Sequence, residues 1–267
     1  GLTFLIGVPN VLELLAEAQQ KQPRDLSSLR GIVTMGSPLE RADCIRYQKI
    51  LTKRIFNGYG TTETFWNTFL RPDDLPEMAG SAGRSCVDDD VRVIKVYEDR
   101  VAEPDDLAAT DDSEVGEVII RSNAKSAAFY FGTPAETRRR FHDGFFYTND
   151  LGTWDENHYF RIVGRKDDMI ISGGENIYPS EISNVLMQID EISECCVFGV
   201  PDEIWGEHVK ACVVLAPGST LTKDALFDYR RHIPHFKAPK EIEILPSLPK
   251  NTTGKVELAV LKRSTVA

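Results

Sequence analysis

Val163-Gly164-Arg165-Lys166-Asp167-Asp168-Met169-Ile170-Ile171-Ser172-Gly173-Gly174-Glu175-Asn176-Ile177-Tyr178-Pro179 is the stretch that decides how this chain is divided. Its charged run, Arg165 to Asp168, separates two apolar segments. Four consecutive charged side chains are costly to bury, so they mark an exposed joint between folded parts. Beyond the joint lie Gly173 and Gly174, where the lack of side chains lets a ligand arm pass close to the backbone. Pro179, with Ser180 and Glu181 behind it, opens a helix that runs to Gln188, because proline and acidic side chains suit a first turn.

Working outward, the downstream part reads as a compact α+β unit. Strands are expected at Ile192 to Val200, His208 to Leu215 and Glu241 to Leu245, with a helix from Lys223 to His232. Upstream, helix and strand alternate, which suggests a partly parallel sheet. Gly1 to Pro9 reads as a buried strand. Val11, Leu14, Leu15 and Ala18 recur at helical spacing through Pro9 to Gln20. Gly31 to Met35 is a short buried strand, Leu39 to Leu51 a helix, and Arg54 to Asn57 another strand. From about Gly80 the pattern becomes strands with polar turns: Val91 to Tyr97, Gly116 to Arg121, Phe145 to Asn149 and His158 to Val163. A helix is expected from Thr133 to Phe141, and the acidic stretch Glu98 to Glu114 reads as a solvated loop. The fold class is therefore α/β. Residues 1–165 form a partial α/β large domain, with helices and strands to 78 and a mostly β, barrel-like subdomain over 79–165. Residues 166–267 form a small α+β C-terminal domain.

The formal net charge of −10 argues against non-specific nucleic-acid binding. It leaves room for an anion at a local cationic cluster or a helix N-terminus. Cys44, Cys86, Cys195, Cys196 and Cys212 are odd in number and show no C-x-x-C spacing, so they read as free thiols of a reducing, cytoplasmic compartment. The five histidines are scattered without ligand spacing. No apolar run approaches the ~20 residues that span a bilayer, and the first residues lack the basic flank of a signal peptide.

Three segments carry chemistry. In Asn57-Gly58-Tyr59-Gly60-Thr61-Thr62-Glu63, glycines flank a tyrosine and permit close backbone approach, so the ring can lie flat on a purine. The threonine hydroxyls can reach a phosphate oxygen, and Glu63 can hold Mg2+ beside it. The same string is, alone, also compatible with a tight strand-to-helix turn around a buried tyrosine. The second segment is the Gly173-Gly174 stretch quoted above. The third is Pro249-Lys250-Asn251-Thr252-Thr253-Gly254-Lys255, a polar turn that ends in a lysine; on an acidic protein such a lysine is ordinarily just solvated. Four lesser features accompany them. Gly36-Ser37-Pro38 closes a buried strand. Asp150 ends another, where a carboxylate can accept two ribose hydroxyls or merely cap a turn. Arg165 offers a planar set of donors, and Trp205 sits in a turn.

In this order, the three segments resemble the adenylate-forming acyl-CoA synthetase family. The resemblance covers essentially the whole chain. It implies activation of a carboxylate by ATP to an acyl-adenylate, then transfer of the acyl group to coenzyme A. It implies roles as follows. Tyr59 stacks on adenine, Thr62 contacts the α-phosphate and Glu63 ligates Mg2+. Gly36, Ser37 and Pro38 border the adenine and acyl pocket, and Asn57, Gly58, Gly60 and Thr61 complete the nucleotide-binding segment. Asp150 and Arg165 meet the ribose or phosphate. Asp167 is the hinge of a mobile C-terminal domain. Gly173, Gly174 and Trp205 meet CoA, and Lys255 is catalytic. The family has glycine where this chain has Asn149; asparagine tolerates positive φ, so the turn should survive. The Gly-Gly-Glu-Asn form of the loop favours a CoA acceptor.

The family's phosphate-gripping, lysine-bearing Gly-rich loop occurs nowhere in these residues. The chain therefore reads as the C-terminal half of such an enzyme, inactive with ATP by itself. Its exposed apolar face would be covered by the missing N-terminal half or by a homo-oligomer. Phe65 and Trp66 are expected to face the acyl pocket, which favours a fatty or aryl acid. Two other readings stay open: an acyl-adenylate ligase that loads a carrier-protein thiol, and a non-catalytic half-enzyme that binds nucleotide or a partner.

Overall fold

The structure is a computed structural model that describes residues 1–97, 99–251 and 254–265. It separates into two compact units, 1–162 and 163–267. The division falls three residues ahead of Arg165.

The first unit begins with alternating elements: β1 (Phe4–Gly7), α1 (Pro9–Lys21), β2 (Gly31–Met35), α2 (Arg41–Ile50) and β3 (Ile55–Thr61). β1, β2 and β3 run parallel, as helical crossovers require. β4 (Phe65–Leu70) then returns antiparallel to β3, and β5 (Arg84–Ser85) pairs with β4. Leu12, Ala16, Cys44 and Tyr47 of the two helices pack on Ile32 and Ile55 of the sheet. Burying each large aliphatic side chain there contributes about 1.5–3 kcal/mol.

The outer face of β1 is open, against the expectation of a buried strand. Phe4 is 49% and Ile6 63% exposed. The reason is position: β1 is the sheet's edge, and the two helices cover only the other face. The ring of Phe4 fills the space over Gly31, next to Phe56, and the ring of Phe69 fills the space over Gly58. Aromatic rings thus tile a face that no helix of the unit covers.

The rest of the first unit is a second sheet. It holds β6 (Asp89–Ile94), β7 (Gly116–Ser122), β8 (Phe141–His142), β9 (Phe145–Trp154) and β10 (Phe160–Arg165), whose residues from Val163 on belong to the second unit, in the order β10-β9-β7-β6 with β8 beside β9. α3 (Pro134–Arg140) precedes β8. Val91, Val93, Val118, Ile120, Trp154 and Phe160 form its core. The acidic stretch is not simply a solvated loop. Ala102, Pro104 and Ala108 are buried and Leu107 bridges to Ile94, because this segment folds back along β6. Glu98 lies outside the described residues.

The second unit contains β11 (Ile170–Ser172), β12 (Glu175–Ile177), α4 (Pro179–Leu186), β13 (Ile192–Asp202), β14 (Gly206–Leu215), α5 (Lys223–Tyr229), β15 (Glu241–Ile244) and α6 (Leu258–Thr265). β13 and β14 form a long antiparallel pair, and β15 adds parallel to β14. Ile182 and Leu186 of α4 and Leu226 of α5 pack on Val197, Val209, Ala211 and Val213. α5 ends at Tyr229 and tightens into a 3-10 turn over Arg230–His232, where a longer helix was expected. α6 was not expected at all; Leu261 packs in its own cluster with Phe198, Cys212 and Leu248. All five cysteines are free.

A polar cluster around Glu13 ties α1 to α2. Arg46 pairs with Glu13 through both guanidinium nitrogens, and the Tyr47 hydroxyl donates to Glu13 Oε2 at 2.8 Å. Hydrogen bonds from Arg46 hold the Glu13 carboxyl below its ordinary value of 4.5, against burial and with help from Tyr47. A depressed folded-state value means that the contribution is fully present above pH 4.5 and is lost as pH falls through the lower folded value. The side chains are over a third exposed, so solvent screening limits the contribution to ~1 kcal/mol. Glu13→Gln is therefore expected to lower the thermal midpoint at pH 7, with the difference from the parent shrinking in scans below pH 4.5.

Candidate active site

β2 and β3 end side by side, with Met35 in register with Gly58. This puts Gly36-Ser37-Pro38 and the Asn57–Glu63 segment at the C-terminal end of the parallel strands, the end at which open α/β sheets bind ligands. Gly36 turns the chain there at φ 82°, and Gly36, Ser37 and Pro38 are exposed. Trp66 Nε1 donates to Met35 Sδ at 3.1 Å and joins the two strand ends from the far side of the hairpin.

The segment runs into a β-hairpin, not into a helix, with Thr62, Glu63 and Thr64 in the turn. Its glycines answer to the hairpin itself. A Cβ on Gly60 would sit 1.6 Å from the Phe65 carbonyl oxygen, and one on Gly58 would meet the Phe69 ring at 3.0 Å. Both lie in extended strand, so close approach within the sheet, and no unusual φ, is what requires them. Asn57 is buried and donates Nδ2 to the Ser81 carbonyl at 3.1 Å. The hydroxyls of Thr61 and Thr64 lie 3.0 Å apart, and Thr62 is exposed.

Tyr59 is half-buried against the core of the second sheet, and its hydroxyl donates to Asp150 Oδ2 at 2.7 Å. Two residues 91 positions apart thereby share one end of the unit. The backbone of β9 makes this contact possible. Pairing with β7 slips between Glu117 and Ile119, so Thr148-Asn149-Asp150 forms a bulge. Bulges re-aim side chains, and this one rests on Asn149 at φ 66°. The Asn149 amide donates to Glu117 Oε1 at 3.1 Å, and the Asp150 amide donates to Thr148 Oγ1 at 3.0 Å. Asn149 holds this left-handed conformation, which an asparagine side chain tolerates.

Glu63 is half-buried. Burial pushes its carboxyl up, but hydrogen bonds from the Tyr130 hydroxyl, its own N–H and Thr61, with the charge of Arg140, hold it below the ordinary range. The Tyr130 contact is 2.6 Å, and burial together with that bond pushes the phenol up to about 12. Sequence reading missed Tyr130. It stands 67 positions from Glu63 in an Ala-Ala-Phe-Tyr-Phe run with no local pattern that points to a carboxylate.

In the second unit, Gly173 and Gly174 form the two-residue turn between β11 and β12, both at positive φ, 62° and 87°. That conformation suits a tight hairpin and favours glycine. The Gly173 amide donates to the Trp205 carbonyl at 2.9 Å, and a Cβ on Gly173 would meet Trp205 Cε3 at 2.7 Å. Trp205 keeps half its surface exposed. Asp202 accepts the amides of Ile204 and Trp205 at 3.0 Å each; these bonds, with the nearby Lys240, hold its carboxyl down to about 2. The Lys240 ammonium lies 5.4 Å from the Trp205 ring centre.

Arg165 ends β10 and Asp167 sits in a single 3-10 turn over Lys166–Asp168; both are exposed. Lys255 is exposed; its amide donates to Asn251 Oδ1 at 3.0 Å and its carbonyl accepts the Asn251 amide at 2.9 Å. Thr252 and Thr253 of the same motif lie outside the described residues. The candidate residues thus form two sets. Gly36 to Pro38, Asn57 to Glu63 and Asp150 belong to the first unit; Arg165, Asp167, Gly173, Gly174, Trp205 and Lys255 belong to the second. No described helix is long and apolar enough to cross a membrane.

Comparison with known proteins finds a separate match in each part of the chain. Residues 1–130 match the profile of the AMP-binding enzyme family, and residues 181–255 match that of the AMP-binding enzyme C-terminal domain. The chain is 34% identical to the long-chain-fatty-acid–CoA ligase FadD13 of Mycobacterium tuberculosis, over 96% of this chain and 48% of that protein. It is 35% identical to the feruloyl-CoA synthase of an Amycolatopsis species, over 98% of this chain and 52% of that protein. The ATP-bound crystal structure of MatB from Rhodopseudomonas palustris superposes with a TM-score of 0.85 at 29% identity, over 98% of this chain and 50% of that one. The chain spans about half the length of the curated relatives it matches.

The bulge yields a test of how the site is built. Asn149→Gly is expected to leave stability within ~0.5 kcal/mol of the parent, whereas Asn149→Ala should cost about 1–2 kcal/mol, the penalty of a left-handed conformation for an ordinary residue. Urea denaturation of the two variants measures the difference.

Proposed function

Because the chain belongs to the family of adenylate-forming, AMP-binding enzymes, we propose that the protein it represents is an AMP-forming acid–thiol ligase. It activates a carboxylate with ATP to an acyl-adenylate and passes the acyl group to coenzyme A. The observation that carries this reading is the contact between Tyr59 and Asp150. It unites an aromatic ring for adenine and a carboxylate for ribose at the sheet end where Thr62 and Glu63 are also displayed. The curated relatives are about twice this chain's length, so the reaction proposed is that of a protein of relative length, which also carries a phosphate-gripping loop.

Within that reading, Tyr59 supports the purine and Asp150 accepts the ribose hydroxyls. Thr62 donates to the α-phosphate. Glu63 is the one acidic side chain of this segment, and among the described residues no cluster of three or more His, Cys, Asp or Glu could by itself hold a metal. A single ionised carboxylate fits Mg2+, which takes most of its ligands from phosphate oxygens and water. Bound there, the cation supplies neutralising charge at the phosphoryl oxygens. Lys255 brings a mobile ammonium to the carboxylate, the α-phosphate and the departing pyrophosphate as charge builds during attack. Arg165 assists at the ribose or phosphate.

Thioester formation needs a different set. The Gly173-Gly174 turn, pressed against Trp205, leaves a wall without side chains beside a half-exposed indole. That pairing suits a narrow pantetheine arm and a stacked adenine, and it favours free CoA over a carrier protein. Asp167 is the hinge about which the second unit turns between the two half-reactions. The exposed ring of Phe65 and the half-buried ring of Trp66, stacked 5.1 Å apart, favour a fatty or aryl acid. The five free thiols suit a cytoplasmic setting.

Lys255→Ala in the full-length protein separates the steps. It is expected to abolish carboxylate-dependent release of pyrophosphate, by about 100-fold or more for loss of a charge that stabilises the transition state. Thioester formation from a supplied acyl-adenylate should stay near the parental rate. Equal loss of both half-reactions would sink the proposal that the lysine leaves the site between them.

A further inference from the structure

We infer that Tyr130 is a positioning residue for Glu63, carried on a strap, residues 123–133, that fixes the acidic end of the nucleotide segment. The inference rests on the proposed role of Glu63 as the carboxylate that meets the nucleotide's cation.

The strap grips the Glu63 hairpin at three points. The Tyr130 hydroxyl donates to Glu63 Oε1 at 2.6 Å. The Ala127 amide donates to the Glu63 carbonyl, also at 2.6 Å. Lys125 Nζ donates to the Trp66 carbonyl at 2.5 Å and pairs at 2.6 Å with Asp89, whose carboxylate is fully buried. Side chain, main chain and the strand that follows are therefore all held by one short segment.

Tyr130 is itself held. Its amide donates to Thr137 Oγ1 at 2.9 Å, and its ring packs edge-on against Phe141 at 5.6 Å. Thr137 lies in α3, so the phenol oxygen is referred to a helix instead of a loose loop.

A glutamate in a hairpin turn has three side-chain torsions and would otherwise sample several rotamers. Tyr130, together with Thr61 and the N–H of Glu63 itself, selects one of them, and Tyr130 is the hydrogen-bond partner from outside the hairpin. It does so with a neutral donor, which leaves the negative charge of Glu63 in place for a cation. Arg140, the nearby charge, is engaged with Glu136 at 3.2 Å and the Tyr147 carbonyl at 3.1 Å. A partner that orients a ligating carboxylate commonly changes metal affinity by about tenfold or more when removed.

The test compares this chain with its Tyr130→Phe, Glu63→Gln and doubly substituted forms. Phenylalanine keeps the ring and deletes only the hydroxyl. Two readouts are taken: the carbon resonance of the Glu63 carboxyl, and binding of manganese–ATP by water-proton relaxation, with metal-free AMP as control. Tyr130→Phe is expected to shift and broaden the Glu63 resonance and to weaken manganese–ATP binding about tenfold, leaving AMP affinity unchanged. The double variant should bind no more weakly than Glu63→Gln alone, since the two residues act as one unit. A sharp, unmoved Glu63 resonance in Tyr130→Phe, or losses that simply multiply in the double variant, would overturn the positioning role. A shifted resonance with parental manganese–ATP affinity in Glu63→Gln would instead support the positioning and overturn the cation-binding role of Glu63.

Discussion

The first unit's candidate site depends on one irregularity, the bulge of β9 at Thr148-Asn149-Asp150. In a regular strand, Asp150 would follow the alternation of the pleat and could not be placed independently of its neighbours. The slip in pairing with β7 frees it from that alternation. Asn149 accepts the left-handed backbone that the slip needs, and Glu117, a buried carboxylate, caps the buried amide that the slip takes out of the ladder. Asp150 then reaches the Tyr59 hydroxyl. A hydrogen bond to a charged partner contributes roughly 1.5–3 kcal/mol, enough to hold the end of β3 against the second sheet. Tyr59 is thereby fixed in the first unit's core while Thr62 and Glu63, a few residues on, stay in an accessible turn.

How far the sequence predicts this follows from what kind of information each feature needs. Gly31 to Met35 is a short, mostly apolar run with three β-branched residues, and it is a strand with the same bounds. β9 was expected to stop at Asn149, yet it continues to Trp154. Asn-Asp is a turn signal in one dimension, and only pairing with β7 reveals it as a bulge within a longer strand. The β3–β4 hairpin escaped for the opposite reason. Its Thr62-Glu63-Thr64 turn carries none of the glycine or asparagine that marks tight hairpins; the glycine sits earlier, at Gly60, where Phe65 crosses. The Tyr59–Asp150 and Glu63–Tyr130 contacts span 91 and 67 positions, so no periodicity records them. The motif resemblance supplied the first residue of each pair, and for Tyr59 its partner too, but not Tyr130.

Both units use glycine at their candidate sites, for different physical reasons. Gly173 and Gly174 need positive φ, and a side chain on Gly173 would also strike Trp205. Gly58 and Gly60 need no special backbone. They are small because an aromatic ring and a carbonyl oxygen occupy the space a Cβ would take. A loop built on backbone conformation can adapt to a ligand by turning, whereas a strand built on close contact cannot. In the proposed cycle the first serves the moving acceptor arm and the second the fixed nucleotide.

The open face of the first sheet completes the physical account. A largely parallel sheet is ordinarily covered on both faces. Here α1 and α2 cover one, and the other shows Phe4, Ile6, Phe56 and Phe69 around two glycines. Side chains at Gly31 or Gly58 would break up this smooth aromatic surface. Smoothness is worth little to a face that meets water, but it matters to one that packs against another layer at close range. The curated relatives are about twice this chain's length, and under the proposed function the added residues would supply that layer. Because Gly58 lies in this face and also opens the Tyr59–Glu63 segment, whatever packs there would bear directly on the nucleotide end of the sheet. Cover for the apolar face and completion of the adenylation site would then be the same event.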